Sequence, residues 1–247
     1  MRNAGLDTKD MGFPDYVIGM HIEKDKHDNI LLNQQLYIET IVRRFNMTDA
    51  KPVSTPANST VKLSKSMTPP TKSKSREMRQ RPYQALVGAL LYAVLTRPDI
   101  AVAVNECYKY MHEPGKAMWT VAKRILRYLK HTKHYKLTLK AKELKNGQRT
   151  MAFVDSSYAD CPDTRRSRYG FIILYNGSPI AWKTRMQKCT AQSTAEAEYY
   201  AASMATQEII WVRRLLKELD LPEEVPTPLL EDNNAQQTHR NEDSFYP

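Results

Sequence analysis

Three acidic residues stand where solubility alone does not account for them. Asp155 sits inside the apolar run Phe153-Val154-Asp155, Glu198 falls on the apolar stripe of a long helical pattern, and Asp232 closes the strand-like run Pro228-Leu229-Leu230-Glu231-Asp232. An ionised carboxylate among apolar neighbours is costly unless it is paired, neutralised or bound to metal. Several carboxylates with no cysteine or histidine partner select hard divalent cations, Mg2+ or Mn2+. Two such ions held close together activate a water and stabilise the leaving oxygen of a phosphodiester. Brought together without metal, the acids would repel one another and titrate as a coupled set. Each also has a plainer explanation. Glu198 serves equally as half of a buried salt bridge or as a first-turn acid aligned with the helix dipole. Asp232 serves as an N-cap, and Asp155 as a loop-edge acid.

The elements that must position these acids are legible nearby. Met151 to Tyr158 reads as a strand, Cys161 to Ser167 as a loop, and Tyr169 to Tyr175 as an apolar strand. Asn176-Gly177 is a two-residue type I′ hairpin signal, because both positions need positive φ. Ser178 to Lys183 returns as the third strand of an antiparallel meander. Ser193 and Glu196 then form a capping box that opens a helix running to about Leu219, with Pro222 enforcing its end. Glu198, Ala202, Ala205, Ile209, Val212, Leu216 and Leu219 share one face at the helical period. Glu196 lies about 200° away around the helix and is assigned to the cap instead. A strand after such a helix lies parallel to an earlier strand through a right-handed crossover, which brings Asp232 beside Asp155. Asp160 and Asp163 fall in the loop after the first strand and read as turn chemistry.

Upstream, Tyr16 to Ile22 reads as a strand, Lys26 to Asn29 as a turn, Ile30 to Leu32 as a second strand and Gln34 to Phe45 as a helix. Residues 51–82 are rich in Pro, Ser, Thr and Lys with almost nothing to bury, the signature of a flexible linker. Low complexity alone supports neither a phosphorylation nor a localisation role there. Tyr83 to Thr96 is apolar nearly all round and predicts a buried helix. It breaks at Arg97-Pro98-Asp99, and further helices run from Ile100 to Met111 and from Pro114-Gly115 to about His131. In the last of these Met118, Ala122, Ile125 and Leu129 face inward. Lys123, Arg127, Lys130 and His134 occupy another face, beside Arg124. The basic run continues through Lys133, Lys136, Lys140, Lys142, Lys145 and Arg149, with Glu143 the one acid between Lys116 and Arg149. With nothing nearby in sequence to neutralise it, this strip is expected to contact phosphates; a solvated face is the plainer alternative.

Composition agrees with that bias. The chain has 247 residues and a formal charge of +10, which favours a polyanionic partner. Mean hydropathy is −0.60, and no apolar run reaches the roughly 18 residues of a spanning helix, so a membrane protein is not expected. The N-terminus lacks a secretory apolar core. Cys107, Cys161 and Cys189 are scattered and form no CxxC pair, which points away from zinc or a disulfide framework and towards a reducing intracellular compartment, cytoplasm or nucleus. No Gly-rich phosphate loop, GxSxG elbow or HExxH helix is present, so a nucleotide kinase, a serine hydrolase and a zinc protease are not indicated.

VDSSYAD, DTRRSRYGFIILYNGSPIAWKTRMQ, STAEAEYYA and LLEDNNA resemble the ribonuclease H domain of copia-type LTR retrotransposon Pol polyproteins. YVIGMHIEKD, LNQQLYIETIVRRFNM, KPVSTP, YQALVGALLYAVLTRPDIAVAVN and WTVAKRILRYLKHTKHYKL resemble the end of the reverse transcriptase of the same elements. The resemblance implies four parts: a reverse-transcriptase C-terminal remnant with a primer-grip-like hairpin over 1–50, the linker 51–82, a helical thumb or connection segment over 83–149, and a ribonuclease H-like domain over 150–247. The implied fold is α/β, with a ribonuclease H-like mixed sheet of three antiparallel strands, a crossover helix and a parallel fourth strand. The Tyr-x-Asp-Asp polymerase motif is absent, and the family's last strand and its helix with a fourth Asp do not follow Asp232, so the domain is expected to be C-terminally truncated. The implied activity is metal-dependent endonucleolytic cleavage of RNA in RNA–DNA hybrids. Asp155, Glu198 and Asp232 would be its catalytic metal ligands, in a two-ion Mg2+ or Mn2+ site left incomplete. Lys123, Arg124, Arg127, Lys130, Arg165 and Arg166 would contact the hybrid backbone, and the remainder of the Pol polyprotein would be a partner. A catalytically inactive nucleic-acid-binding relic is the alternative.

Overall fold

A computed structural model describes residues 12–58, 60–69, 71–141 and 149–231. Lys142, Lys145, the Asn146-Gly147 turn and Asp232 lie outside the described residues. The fold is α/β, with two four-stranded sheets.

The first sheet holds β1 (Tyr16–Val17), β2 (Met20–Lys24), β3 (Ile30–Asn33) and β4 (Leu137–Leu139), all antiparallel and in that order. The single strand expected over Tyr16–Ile22 is instead a hairpin, with Val17 paired to Met20. Its two-residue turn is Ile18-Gly19, at φ 49° and 73°, the geometry that closes tight hairpins. Ile18 is a poor residue for positive φ; the Tyr92 hydroxyl, donating to Ile18 O, holds it there. The pairing of β4 with β3 joins sequence separated by the whole helical unit.

Among the described residues five α-helices lie between β3 and β4 in the chain: α1 (Gln35–Arg44), α2 (Lys72–Arg79), α3 (Tyr83–Ala93), α4 (Ala101–Tyr108) and α5 (Lys116–His131). One core draws on Ile38 and Ile41 of α1, Leu86 and Leu90 of α3, Val104 of α4 and Ile125 and Leu129 of α5. The predicted stripe Met118, Ala122, Ile125, Leu129 is fully buried, because its spacing returns those side chains to one face of α5.

The break between α3 and α4 is built around Arg97, only 3% exposed. Its guanidinium donates to both Asp99 oxygens (2.9 and 2.7 Å), Thr132 O (3.0 Å) and Thr132 Oγ1 (2.7 Å), and its plane lies over the rings of Tyr128 and Tyr135. Burial raises the cost of ionising Asp99, but hydrogen bonds from Arg97 and Tyr128 outweigh it and hold the carboxyl below its ordinary range.

Residues 51–82 differ from the linker expected of them. Leu63 is 2% exposed within the helical core, and Val53 packs against the same core. The backbone is also held: Lys130 Nζ donates to Ala50 O (2.9 Å), Arg127 Nε to Lys51 O (2.6 Å), and Asp163 accepts from Lys65 N (2.9 Å). Average composition hides this, since a single leucine in a closed core anchors a polar segment.

The second sheet holds β5 (Thr150–Ser157), β6 (Arg168–Tyr175), β7 (Ser178–Met186) and β8 (Leu229–Leu230), in the order β7-β6-β5-β8. The first three are antiparallel, and β8 runs parallel to β5 after the helix α6 (Thr194–Glu218). Asn176 and Gly177 take φ 49° and 72°, the expected hairpin turn. α6 packs Ala201, Ala205, Ile209, Val212 and Leu216 onto Ala152, Val154, Tyr169, Phe171 and Ile173. Ala201 takes the place expected of Ala202, and Leu219 is 55% exposed because it is already the C-cap.

Two stability predictions follow from this packing. Leu63→Ala is expected to lower unfolding free energy by about 2–5 kcal/mol in urea titration; a loss under about 1 kcal/mol would show that the segment is not anchored. For Asp99 the depressed pKa sets the sign: its contribution is complete above the unfolded value near pH 3.9 and is lost as pH falls through the folded value. Thermal midpoints of wild type and Asp99→Asn should therefore differ at pH 7 and converge as pH falls through the lowered pKa of Asp99.

Candidate functional site

β5 alternates strictly. Ala152, Val154 and Ser156 point to the face covered by α6, while Phe153, Asp155 and Ser157 point to the other. Asp155 is exposed and pairs with Gly170 of β6, whose missing side chain leaves space beside the carboxylate. On that face lies a cleft of about 520 Å3 between the sheet and the start of α4. Phe153, Ile172, Trp182 and Val102 form its apolar walls, with Asp155, Asp160 and Arg168 as charged groups. The Trp182 indole is fixed by donation to Val94 O at 3.2 Å.

Glu198 is 6% exposed on the stripe of α6 that faces the sheet. Glu196 is exposed and caps: Ser193 Oγ accepts from Glu196 N (3.1 Å), and Glu196 Oε2 accepts from Gln192 N (2.7 Å). Helical phase thus separates the two glutamates as the sequence predicts. The pleat starts Asp155 and Glu198 on opposite sides of β5, near its C-terminal end. Of the third acid's surroundings, β8 is described: Leu230 pairs with Phe153. Among the described residues no group of three His, Cys, Asp or Glu side chains is placed to hold a metal ion.

One positioning residue was not singled out from sequence. Gln187, 1% exposed just after β7, donates from Nε2 to Ala197 O (2.8 Å) and to Ser156 Oγ (3.4 Å). It ties the first turn of α6 to the end of β5, and so sets the position of Glu198 relative to the strand that carries Asp155. A glutamine directly after a strand was the only signal available.

The loop from Asp160 to Arg168 also does more than turn. Arg168 is 6% exposed; its Nε donates to Asp160 Oδ2 (3.1 Å), and its guanidinium pairs with Glu106 of α4 and approaches Asn105 Oδ1 (3.4 Å). Burial pulls its pKa down. Glu106 also pairs with Lys109 (2.8 Å). Two residues into the loop, the Tyr110 hydroxyl lies 2.8 Å from Leu63 O and 2.9 Å from Asp163 Oδ2; burial, then the carboxylate, push its pKa up. Arg165 and Arg166 are exposed at the tip, where Arg165 N donates to Cys161 O (2.8 Å) and Cys161 N to Arg166 O (3.1 Å).

The basic strip is engaged within the fold: past the end of α5 its cations meet acids, and on α5 itself they meet uncharged oxygens and a ring. Lys133 pairs with Glu39 (2.7 Å) and Lys136 with Glu23. Arg124 Nη2 donates to Thr55 Oγ1 (2.8 Å), while Arg127 and Lys130 hold the carbonyls of Lys51 and Ala50. Lys123 lies over the Trp119 ring. Cations that read as phosphate contacts therefore fasten the segment before Leu63 to α5.

Arg168→Leu is expected to cost about 1–3 kcal/mol, because it leaves the half-buried Asp160 and Glu106 without their cation. Adding Glu106→Leu should recover part of that loss; strictly additive losses in chemical denaturation would show that the two charges are not coupled.

The chain is 41% identical over 223 residues to the retrovirus-related Pol polyprotein from transposon TNT 1-94 of Nicotiana tabacum, a match covering 89% of this chain and 16% of that one. It is 36% identical over 209 residues to an uncharacterized mitochondrial protein of Arabidopsis thaliana, covering 85% of this chain and 82% of that one. It is 34% identical over 202 residues to the retrovirus-related Pol polyprotein from transposon RE2 of Arabidopsis thaliana, covering 82% of this chain and 13% of that one. No family model matches the chain, and no solved structure matches it.

Proposed function

We propose that the chain is part of a copia-type retrovirus-related Pol polyprotein of a transposon, the kind of protein it is similar to, and that residues 150–247 form a ribonuclease H-like unit that cleaves RNA in RNA–DNA hybrids. The observation that carries this reading is the parallel β8. Leu230 pairs with Phe153, and these residues stand two positions ahead of Asp232 and Asp155. An antiparallel meander, a crossover helix with a buried glutamate and a parallel strand beside the first are the arrangement such a site requires.

Asp155, Glu198 and Asp232 are the oxygen donors that would hold Mg2+ or Mn2+. Asp155 and Glu198 border the same end of β5, and hard carboxylate donors without histidine or cysteine suit these ions. When bound, such an ion supplies Lewis acidity and an activated water. The chain's own contribution is positional. Gln187 sets the start of α6 against β5, and Arg168 sets the loop that presents Arg165 and Arg166. Those two exposed cations make no ion pair among the described residues and are free to meet a phosphate backbone. Contacts to 2′-hydroxyls would select RNA. Residues 83–149 would be the thumb or connection segment that carries the unit, and residues 1–50 the end of the reverse transcriptase.

A second reading, binding of hybrid without cleavage, is favoured by one observation: Asp155 leaves β5 on the face turned away from α6, the helix that carries Glu198. A labelled RNA–DNA hybrid incubated with the purified chain and Mn2+ separates the two. Cleavage of the RNA strand is expected, with Asp155→Asn reducing the rate by at least about 100-fold while filter binding of the hybrid is retained. Retained binding with no cleavage by wild type would overturn the enzymatic reading; loss of both would overturn each.

A further inference from the structure

Thr55 combines three properties that the proposed hydrolytic site does not use. It precedes Pro56 in a stretch with neither helix nor strand, and it is exposed, so an extended Thr-Pro backbone is available to an enzyme cleft. Its hydroxyl already engages a cation: Oγ1 accepts from Arg124 Nη2 at 2.8 Å and donates to Ala57 O at 3.0 Å. Arg124 also holds a donor in reserve, since its buried Nε has no hydrogen-bond partner. Arg127 stands one turn further along α5 and holds Lys51 O at 2.6 Å. The acid that borders this region, Glu106, is committed to Arg168 and Lys109.

We propose that Thr55 is a phosphorylation site for a proline-directed kinase, and that Arg124 of α5 receives the phosphate. In the transfer, Thr55 Oγ1 forms a bond to the γ-phosphorus of ATP. The bond from that phosphorus to the β,γ-bridging oxygen breaks, ADP leaves with the electron pair, and the hydroxyl proton passes to the kinase's base. The product carries about −1.5 to −2 charge at neutral pH. It replaces one neutral acceptor with three charged oxygens opposite a guanidinium fork, a geometry suited to paired donation from Nη2 and Nε. The modified segment is fastened to α5 more tightly, and the dianion also cancels positive charge along Lys123, Arg124 and Arg127.

Thr68-Pro69 provides an internal comparison. Its side chain is half-buried and its hydroxyl donates to Lys65 O at 2.7 Å, so the native chain should present Thr55 in preference.

The test is to incubate the purified full chain with a proline-directed kinase and ATP, then map the product by mass spectrometry with Thr55→Ala as control. Modification at Thr55 is expected, absent from the control. In 31P NMR the phosphate's second ionisation should fall below the value of about 6 for free phosphothreonine, since a neighbouring cation favours the dianion. Arg124→Gln should return it to about 6 and Arg124→Lys should return it part of the way. The phosphorylated wild type should also melt about 2–4 °C higher than the unmodified chain, a shift lost in Arg124→Gln. A native chain left unmodified at Thr55, or a phosphate that titrates alike in wild type and Arg124→Gln, would overturn the proposal.

Discussion

A buried guanidinium, that of Arg168, holds the two halves of this molecule together. It leaves the first position of β6 and meets Asp160 from its own loop and Glu106 from α4. Removing such a charge from water is expensive, and the cost is offset only while both acids stay in place. The cleft that contains Asp155 is shaped by that requirement, because one wall belongs to the sheet and the other to the start of α4. The Asp163–Lys65–Tyr110 contacts reinforce the same seam a few residues away. A loop that reads as ordinary turn chemistry is thus the joint on which the relation of the helical unit to the second sheet depends.

What could be read directly from the sequence was governed by local geometry. The Asn176-Gly177 turn follows from the φ requirement of two residues. The choice of Glu198 over Glu196 follows from 100° per residue, and the parallel placement of β8 from the handedness of crossovers. What was not legible depended on partners far away in the chain. The break of Tyr16–Ile22 into a hairpin needed Tyr92 to brace Ile18. The anchoring of 51–82 needed a core assembled from α1, α3, α4 and α5, into which one leucine fits. The acids that neutralise Lys133 and Lys136 lie on the first sheet and on α1. Asp232 lies outside the described residues, so the candidate site is seen from two of its three acids and from the register of the strand that leads to the third.

The cations show how composition and function can part company. A net charge of +10 invites a polyanionic partner for the whole surface, yet much of the α5 strip is used within the fold. Arg124, Arg127 and Lys130 together act on four residues, from Thr48 to Thr55, as a row of clasps. The exposed pair Arg165 and Arg166, on the loop held by Arg168, is different in kind: its backbone is fixed and its side chains are not. This division of labour points to the loop beside β5 and β6 as the part that faces outward.

The pairing of β3 with β4 carries a consequence for how the molecule is made. Ile30 has no partner on one side until Leu139 exists, and Ala152 likewise waits for Leu229. On a growing chain the helices between them can collapse onto one another while both sheets still have an open edge. Among the described residues each of these edges is then covered by a short strand, three residues in one case and two in the other. The outer edge of β3 therefore stays without its partner while α1 to α5 are made, and α1, which follows it directly in sequence, is the first element able to shelter it.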